Sequence, residues 1–217
     1  MELTQIQSFL ESADPQSRMK AMVELRQHTP EVVVPLLKQR MYDKEFVIRS
    51  FVAMGLGYKQ TEEGFDALVT LITTDRDPNV VAEAANSLEK YGDRAIPHLV
   101  QLFEQNTHWL VRQSIFAALE TASPEVKLQL CRWGWEGEDL VVQGSAISNL
   151  STLVGTPQAP DALAILLEAV VSETPMIRAQ TARTLKHFDD PQAKAALLEL
   201  RQDTNMRVVG ATLESLL

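Results

Sequence analysis

The chain has 217 residues, with 20 Lys and Arg against 29 Asp and Glu, giving a formal net charge of -9. This acidity argues against nucleic-acid and anionic membrane partners, because both bind to clustered Lys and Arg. The single cysteine, Cys131, can form neither an internal disulfide nor a multi-thiolate metal site, so we expect a reducing compartment and a cytoplasmic location. We expect no secretory signal in MELTQIQSFLESADPQ and no membrane insertion, since no uncharged apolar stretch approaches about 18 residues.

A lone helix is predicted first, over Glu2 to Phe9, and a segment of ten residues then recurs seven times along the chain. The copies are QSRMKAMVEL, VIRSFVAMGL, NVVAEAANSL, LVRQSIFAAL, VVQGSAISNL, MIRAQTARTL and RVVGATLESL. We call the third residue of each copy its anchor: Arg18, Arg49, Val81, Arg112, Gln143, Arg178 and Val209. Successive anchors are 31, 32, 31, 31, 35 and 31 residues apart. A fixed period of this length is typical of a stacked repeat protein.

Each copy has the pattern of a helix with one buried face. A leucine follows every anchor by seven residues: Leu25, Leu56, Leu88, Leu119, Leu150, Leu185 and Leu216. The residue before the anchor is apolar in all copies but the first, and the third residue after it is small or branched. These positions fall on one side of a helix, so we predict seven anchor helices with a buried stripe.

A second apolar run follows each of the first six copies and predicts a companion helix. These runs are VVVPLLKQRM, FDALVTLIT, AIPHLVQLF, EVKLQLCRW, DALAILLEAV and AKAALLEL. Gly, Asp, Ser, Thr and Pro between the runs are typical of helix ends and starts, and Gly55 and Gly57 are predicted to cap a helix C-terminus rather than to bind phosphate. The sequence therefore predicts an all-α solenoid of about six helical hairpins with a capping helix at each end, forming a single domain over residues 1-217.

The spaced residues D-x-x-x-V-R-x-x-A-x-x-x-L resemble HEAT repeats of the short variety named after phycobilisome lyases. Phe46 to Leu56, Leu110 to Leu119 and Pro175 to Leu185 match best, while Val81, Gln143 and Val209 replace the arginine. The resemblance implies a right-handed superhelix whose second, companion helices line the concave side, where client proteins bind. Small cyanobacterial members of this family are similar in size and acidity, and they include bilin lyase subunits, phycobilisome-degradation adaptors and a companion of an iron-sulfur carrier.

The segment CRWGWEGEDL is the most unusual local feature. Trp133 and Trp135 are separated by one residue and point about 200° apart on a helix, so both are buried only where neighbours surround the helix. Tryptophan is enriched in binding hot spots, so we predict a protein-binding surface that includes Trp133, Trp135 and Arg132, with His98 and Gln101. Burial of the two tryptophans in the core is the alternative.

Other residues give weaker evidence for a functional site. The anchor arginines are predicted to pair with acidic groups or helix ends of neighbouring repeats. Stacking of neighbouring repeats would bring Cys131 near His98 or His108 as a nucleophile and its base, but the more common role of a lone helical cysteine is packing. The four histidines lack the spacing of a helical metal site, so no metal, cofactor or catalytic residue is predicted.

These observations predict a non-enzymatic scaffold, adaptor or assembly factor that holds a client protein on its concave surface. The resemblance adds phycobilisome or iron-sulfur protein maturation as the setting, with a phycobiliprotein or an iron-sulfur carrier as the client. The alternative that it implies is a subunit of a bilin lyase or of a chromophore-detaching factor that acts on phycobiliproteins. A HEAT-like DNA-binding protein would need a basic concave face, which the charge of -9 opposes.

Overall fold

The computed structural model describes residues 1-119 and 121-214, and its regular structure is entirely helical over those residues. Within these two ranges there are fourteen α-helices and two 3-10 helices, the latter at Gly92–Ala95 and Leu150–Leu153. The α-helices are α1 Leu3–Leu10, α2 Pro15–Leu25, α3 Pro30–Lys38, α4 Phe46–Lys59, α5 Glu62–Thr74, α6 Pro78–Glu89, α7 Ile96–Gln105, α8 Trp109–Ala118, α9 Pro124–Glu136, α10 Leu140–Asn149, α11 Ala159–Ala169, α12 Pro175–Leu185, α13 Pro191–Leu200 and α14 Met206–Leu213. None of the helices so described is long and apolar enough to cross a membrane.

The predicted all-α solenoid is confirmed. The anchor helices are α2, α4, α6, α8, α10, α12 and α14, the companion helices are α3, α5, α7, α9, α11 and α13, and α1 is the predicted lone helix. Residue contacts group the chain into two compact units, Met1–Thr121 and Ala122–Leu217, which are described separately below. The assignment of one domain to residues 1-217 therefore stays a prediction.

The buried stripe of the anchor helices is confirmed as well. In α4 the residues before, three after and seven after the anchor are Ile48, Val52 and Leu56, and none of them is more than 1% exposed. The equivalent residues of α6, α8, α10 and α12 are also buried. The last predicted leucine, Leu216, lies outside the described residues. The stripe contributes to the core of each unit, in which every anchor helix from α4 onward packs on the companion helix that precedes it.

Helix starts follow the predicted chemistry, but one predicted helix end is wrong. Pro15 and Pro78 open α2 and α6, and the side chains of Asp14 and Asp77 accept hydrogen bonds from the first backbone N–H groups. Helix α4, however, does not end at Gly55 or Gly57. It continues to Lys59, and Gln60 ends it in the left-handed conformation with φ 50°.

The two glycines of α4 instead allow close packing. A Cβ atom placed on Gly57 would lie 2.6 Å from Ser87 Cβ and 3.0 Å from Ser87 Cα in α6. One placed on Gly55 would lie 2.7 Å from Leu37 Cδ1 in α3. At Gly57 a larger residue would meet the backbone of α6 and separate the two helices, whereas at Gly55 it would meet only the flexible end of the Leu37 side chain.

Anchor helices pack on one another more extensively than companion helices do. In the first unit α4 packs along α6 and α6 along α8, whereas α3–α5 and α5–α7 contacts are sparse. In the second unit α10–α12 and α12–α14 contacts likewise exceed those of α9–α11 and α11–α13. A stack of hairpins curves toward its more closely spaced row, so the anchor helices form the inner row of each unit. The assignment of the companion helices to the concave side is therefore wrong, because small side chains such as Gly57 and Ser87 bring the anchor helices together.

The polar anchors close the loops between hairpins, a role that the sequence analysis did not predict. Each of the five donates a side-chain hydrogen bond to the carbonyl oxygen six residues before it: Ser12, Asp43, Asn106, Gly137 and Ser172 accept from Arg18, Arg49, Arg112, Gln143 and Arg178. Gln143 thus retains the loop-closing contact without a charge. These bonds satisfy carbonyl groups that lie outside any helix.

Three anchor arginines also hold the loop that precedes the following anchor helix. Arg18 pairs with Asp43, Arg49 with Asp75 and Arg178 with Asp203. Arg49 is bidentate, with Nε 2.6 Å from Asp75 Oδ2 and Nη2 3.0 Å from Oδ1. The predicted pairing of anchor arginines with acidic groups is therefore confirmed for these three, and it links successive hairpins inside each unit.

Candidate protein-binding surface

An apolar groove lies between α2 and α4 in the first unit, with α3 beneath it. Its mouth and walls include Val23 and Arg26 from α2 and its C-cap, and Phe51, Met54, Tyr58 and Lys59 from α4. Leu37 of α3 lies at its base beside Gly55. The α2–α4 groove exists because α2 packs on α4 much less extensively than α4 packs on α6.

The α2–α4 groove presents large apolar side chains to solvent. Val23 is 46% exposed, Met54 42% and Tyr58 61%. Single exposed apolar residues are ordinary on a protein surface, but a group of them around a concave site is typical of an interaction surface. The α2–α4 groove is therefore a candidate site for the apolar side chains of a partner.

Two cationic side chains flank the Tyr58 ring at the edge of the groove, and a third cation, Lys59, follows Tyr58 in sequence. The Arg26 guanidinium carbon lies 5.6 Å and Lys90 Nζ 5.8 Å from the centre of the Tyr58 ring, within the range of cation–π attraction. Lys59 Nζ donates to the carbonyl oxygens of Arg26 and His28, at 3.0 and 2.7 Å. Within residues 1-119 and 121-214, none of the three cations forms a salt bridge.

His98 and Gln101 are brought together in a different pocket of the first unit. Both lie on α7 in the outer row, where they line a cavity of about 220 Å³ with residues that include Asp75 and Asn106. The His98 ring is half-buried and meets the edge of Phe65, with ring centres 5.5 Å apart, while Gln101 is exposed. The predicted role of these two residues in protein binding stays a prediction.

Arg132, Trp133 and Trp135 lie together near the end of α9 in the second unit, also in its outer row. Arg132 is exposed, both tryptophans are half-buried, and Gly134 between them is buried. Trp135 Nε1 donates to Glu168 Oε2 at 3.3 Å, which links α9 to α11. The tryptophans are thus neither core residues nor fully exposed, and their predicted part in an interface stays a prediction.

Cys131 has the environment of a packing residue. It is only 1% exposed, and burial raises the pKa of its thiol to about 12. At neutral pH such a thiol stays protonated and is a poor nucleophile. The arrangement therefore gives no support to Cys131 as a catalytic group.

The α2–α4 groove was missed by the sequence reasoning, although a signal exists. Val23 and Met54 are each the fifth residue after an anchor, about 200° around the helix from the buried third residue. The equivalent residues of the later copies are Asn86, Ala117, Ser148, Arg183 and Glu214. Large apolar residues at this outward position occur only in the first two copies, and that contrast marks the groove.

A family model for HEAT repeats matches residues 34–120 and 135–217. The chain belongs to the HEAT-repeat family. No curated protein matches it in a comparison of sequences. Three solved structures share the helical repeat fold with this HEAT-repeat protein at 12 to 20% sequence identity.

The first of these structures is Escherichia coli YibA, at 15% identity and a TM-score of 0.68, where the match covers 97% of this chain and 80% of that one. The complex of CpcE and CpcF of phycocyanin lyase from Nostoc sp. PCC7120 gives 20% identity and a TM-score of 0.55, covering 100% and 95%. Drosophila melanogaster Mini spindles TOG3 gives 12% identity and a TM-score of 0.55, covering 86% and 94%. At these identities the common property is the fold.

Proposed function

We propose that this HEAT-repeat protein is a non-enzymatic scaffold that binds a client protein through the α2–α4 groove. The observation that supports this function is the exposure of Val23, Met54 and Tyr58 around one concave site of the inner row. Burying such side chains against a client would remove apolar surface from water, which favours association. A cytoplasmic location fits the single buried cysteine.

The size of the groove favours side chains of a client over a free small molecule. The groove encloses about 70 Å³. Pockets that bind cofactors and metabolites usually hold about 300 Å³ or more. One or two apolar side chains from a protein segment fit this space, whereas a tetrapyrrole does not.

Photo-crosslinking tests the proposal directly. A benzophenone amino acid placed at Met54 should capture a defined client in the native lysate, and the same group at exposed Leu198 on α13 should not. With purified client, Val23→Asn combined with Met54→Gln should weaken binding at least tenfold. Equal capture from both positions, or unchanged affinity of the double variant, would refute the groove as the client site. The resemblance makes phycobiliproteins and iron-sulfur carriers the first clients to test.

A bilin lyase subunit is the second candidate function. The cations around Tyr58 favour it, because they would pair with the propionates of a bilin that lies across the edge of the groove and not inside it. Mixing the protein with a free bilin should then shift the visible absorption spectrum of the pigment. An unchanged spectrum, with and without a candidate lyase partner, rejects this function and leaves the scaffold intact.

The end of α9 is proposed as a second client contact. Trp133 and Trp135 are half-buried beside exposed Arg132, which is a common composition for an interface hot spot. Replacing both tryptophans by alanine should weaken client binding beyond the loss caused by the groove variant. An unchanged affinity in a folded variant would restrict these residues to packing.

A further inference from the structure

We infer that the segment bound in the α2–α4 groove is an amphipathic peptide segment of the client in which acidic residues flank one or two large apolar side chains. The inference rests on the proposed function of the groove. It specifies which residues the partner presents, and the supporting observation is the positive charge at the edge of the groove. The apolar side chains would fill the space between Val23 and Met54, and the carboxylates would meet the cations around Tyr58.

The edge of the groove is basic in a chain that is acidic. The formal net charge is -9, yet Arg26 and Lys90 flank the Tyr58 ring and Lys59 follows it in sequence, all three at the C-terminal ends of successive anchor helices. Their charges are not neutralised by salt bridges in the described residues. A complementary partner therefore brings negative charge to this edge.

The cations are also held in place before any partner binds. Lys59 is fixed by two carbonyl oxygens, and Arg26 and Lys90 lie within 6 Å of the Tyr58 ring. Side chains that are already ordered lose less conformational entropy on binding. The same cations also lie near helix C-termini, where positive charge stabilises a helix, so an effect on binding has to be separated from an effect on stability.

Carboxylates of the described residues do not pair with these cations. Glu83 interacts electrostatically with Lys90 but forms no salt bridge with it, and burial raises the pKa of Glu83. Glu24 of α2 is 3.0 Å from the N-terminal amine and is thereby paired elsewhere. The edge is thus left to carboxylates supplied from outside the described residues of this chain.

Selection from a random library of 12-residue peptides displayed on phage tests the inference with the intact chain. Peptides retained by the wild-type protein, and not by the Val23→Asn, Met54→Gln variant, should be enriched in Asp and Glu beside a large apolar pair. Selected peptides without that enrichment, or no retained peptide, would overturn the acidic segment.

Fluorescence polarisation then measures how much the acidic residues contribute to affinity. It compares the best peptide with a neutral copy in which every Asp and Glu is replaced by Asn or Gln. Arg26→Gln with Lys90→Gln should weaken binding of the acidic peptide about tenfold and binding of the neutral copy less than twofold. Arg201→Gln with Arg207→Gln is the matched control, because both arginines are exposed in the second unit and the net charge changes equally. Thermal unfolding of all variants separates binding from helix stabilisation.

The two proposals fail in different ways. If every peptide that the wild type retains is retained equally by the Val23→Asn, Met54→Gln variant, the groove is not the site and the proposed function fails. If that variant loses the peptide while the Arg26, Lys90 variant binds both peptides normally, only the acidic character of the partner is refuted.

Discussion

The same position of the anchor helix has opposite surfaces in the two units. In the first unit the fifth residues after successive anchors are Val23 and Met54, and they border an apolar groove. In the second unit the corresponding pair Arg183 and Glu214 forms an exposed bidentate salt bridge, with both N–O distances 2.8 Å. At this position α2 and α4 of the first unit therefore present an apolar site, whereas α12 and α14 of the second unit are joined by a salt bridge.

The loop-closing contacts do not differ between the units in this way. Arg49–Asp75 in the first unit and Arg178–Asp203 in the second have nearly the same geometry. The comparison teaches that the anchor position maintains the fold, while the fifth position after it is free to determine what a repeat binds. Substitutions at the two positions should therefore separate stability from binding.

The largest loss of stability is expected from Arg49→Gln. Glutamine can still close the loop, as Gln143 does, but it leaves Asp75 without its bidentate partner, and the Asp75 side chain is only 6% exposed. Removing one member of a buried pair should lower the free energy of unfolding by about 3 kcal/mol. Urea unfolding followed by circular dichroism measures the change. Arg183→Gln, which removes the exposed pair of the second unit, is the control and should have a far smaller effect.

The next largest loss of stability is expected from a substitution that forces two helices apart. Gly57→Ala should lower the free energy of unfolding by about 2 kcal/mol, since the new Cβ would collide with the backbone and side chain of Ser87. Gly144→Ala in α10 is the matched control, because no atom lies within 4 Å of its added Cβ. That variant should instead gain about 0.5 kcal/mol from the better helix propensity of alanine. A similar loss in both variants would contradict close packing as the reason for Gly57.

A smaller change is expected from pH. The hydrogen bond from Arg178 lowers the pKa of Asp203. At Asp75 burial acts to raise the pKa, but the hydrogen bonds from Arg49 and from the backbone outweigh it, so the pKa is lowered there too. Because the folded-state pKa lies below the ordinary value of about 3.9, the stabilisation is complete above that value and is lost as the pH falls through the folded-state pKa. The stability difference between wild type and Arg178→Gln should thus be constant from pH 7 to about pH 5 and decline below pH 4. A difference that grew on acidification would refute the pairing.

The smallest effect on stability is expected from exchanging the two surfaces. Val23→Arg with Met54→Glu copies the charged pair of the second unit into the first. Both positions are exposed, so the free energy of unfolding should change by about 0.5 kcal/mol or less, while client binding is lost. Calorimetric titration with purified client, compared with unfolding curves, checks this separation. Retained binding would show that the fifth position does not determine function.

Much of the fold could be predicted from the sequence because the apolar period is direct evidence of which residues are buried. Ile48, Val52 and Leu56 are at the predicted buried positions, and the prolines that begin α2 and α6 were visible as helix starts. The end of α4 could not be predicted from Gly57, since a glycine that ends a helix and one that admits a neighbouring helix look the same in a single sequence.

The rows and the groove were not predicted because both depend on distances between hairpins. Periodicity identifies the side of a helix that faces the core but not which row of helices is more closely spaced. The apolar residues Val23 and Met54 come together because α2 and α4 are loosely packed, and α6 with its Ser87 contact has no such gap. The predicted surface at Trp133 and Trp135 followed from residue type alone, and its half-burial leaves its role a prediction.

The loop-closing contacts have a consequence for how the chain folds. Arg49 reaches back six residues to Asp43 and forward 26 residues to Asp75, and among the described side-chain hydrogen bonds the longest span is 35 residues, from Tyr91 to Leu56. Contact order is therefore low, which favours rapid folding. During synthesis, each loop can close as soon as the next hairpin has left the ribosome, so ordered structure can grow by one repeat at a time.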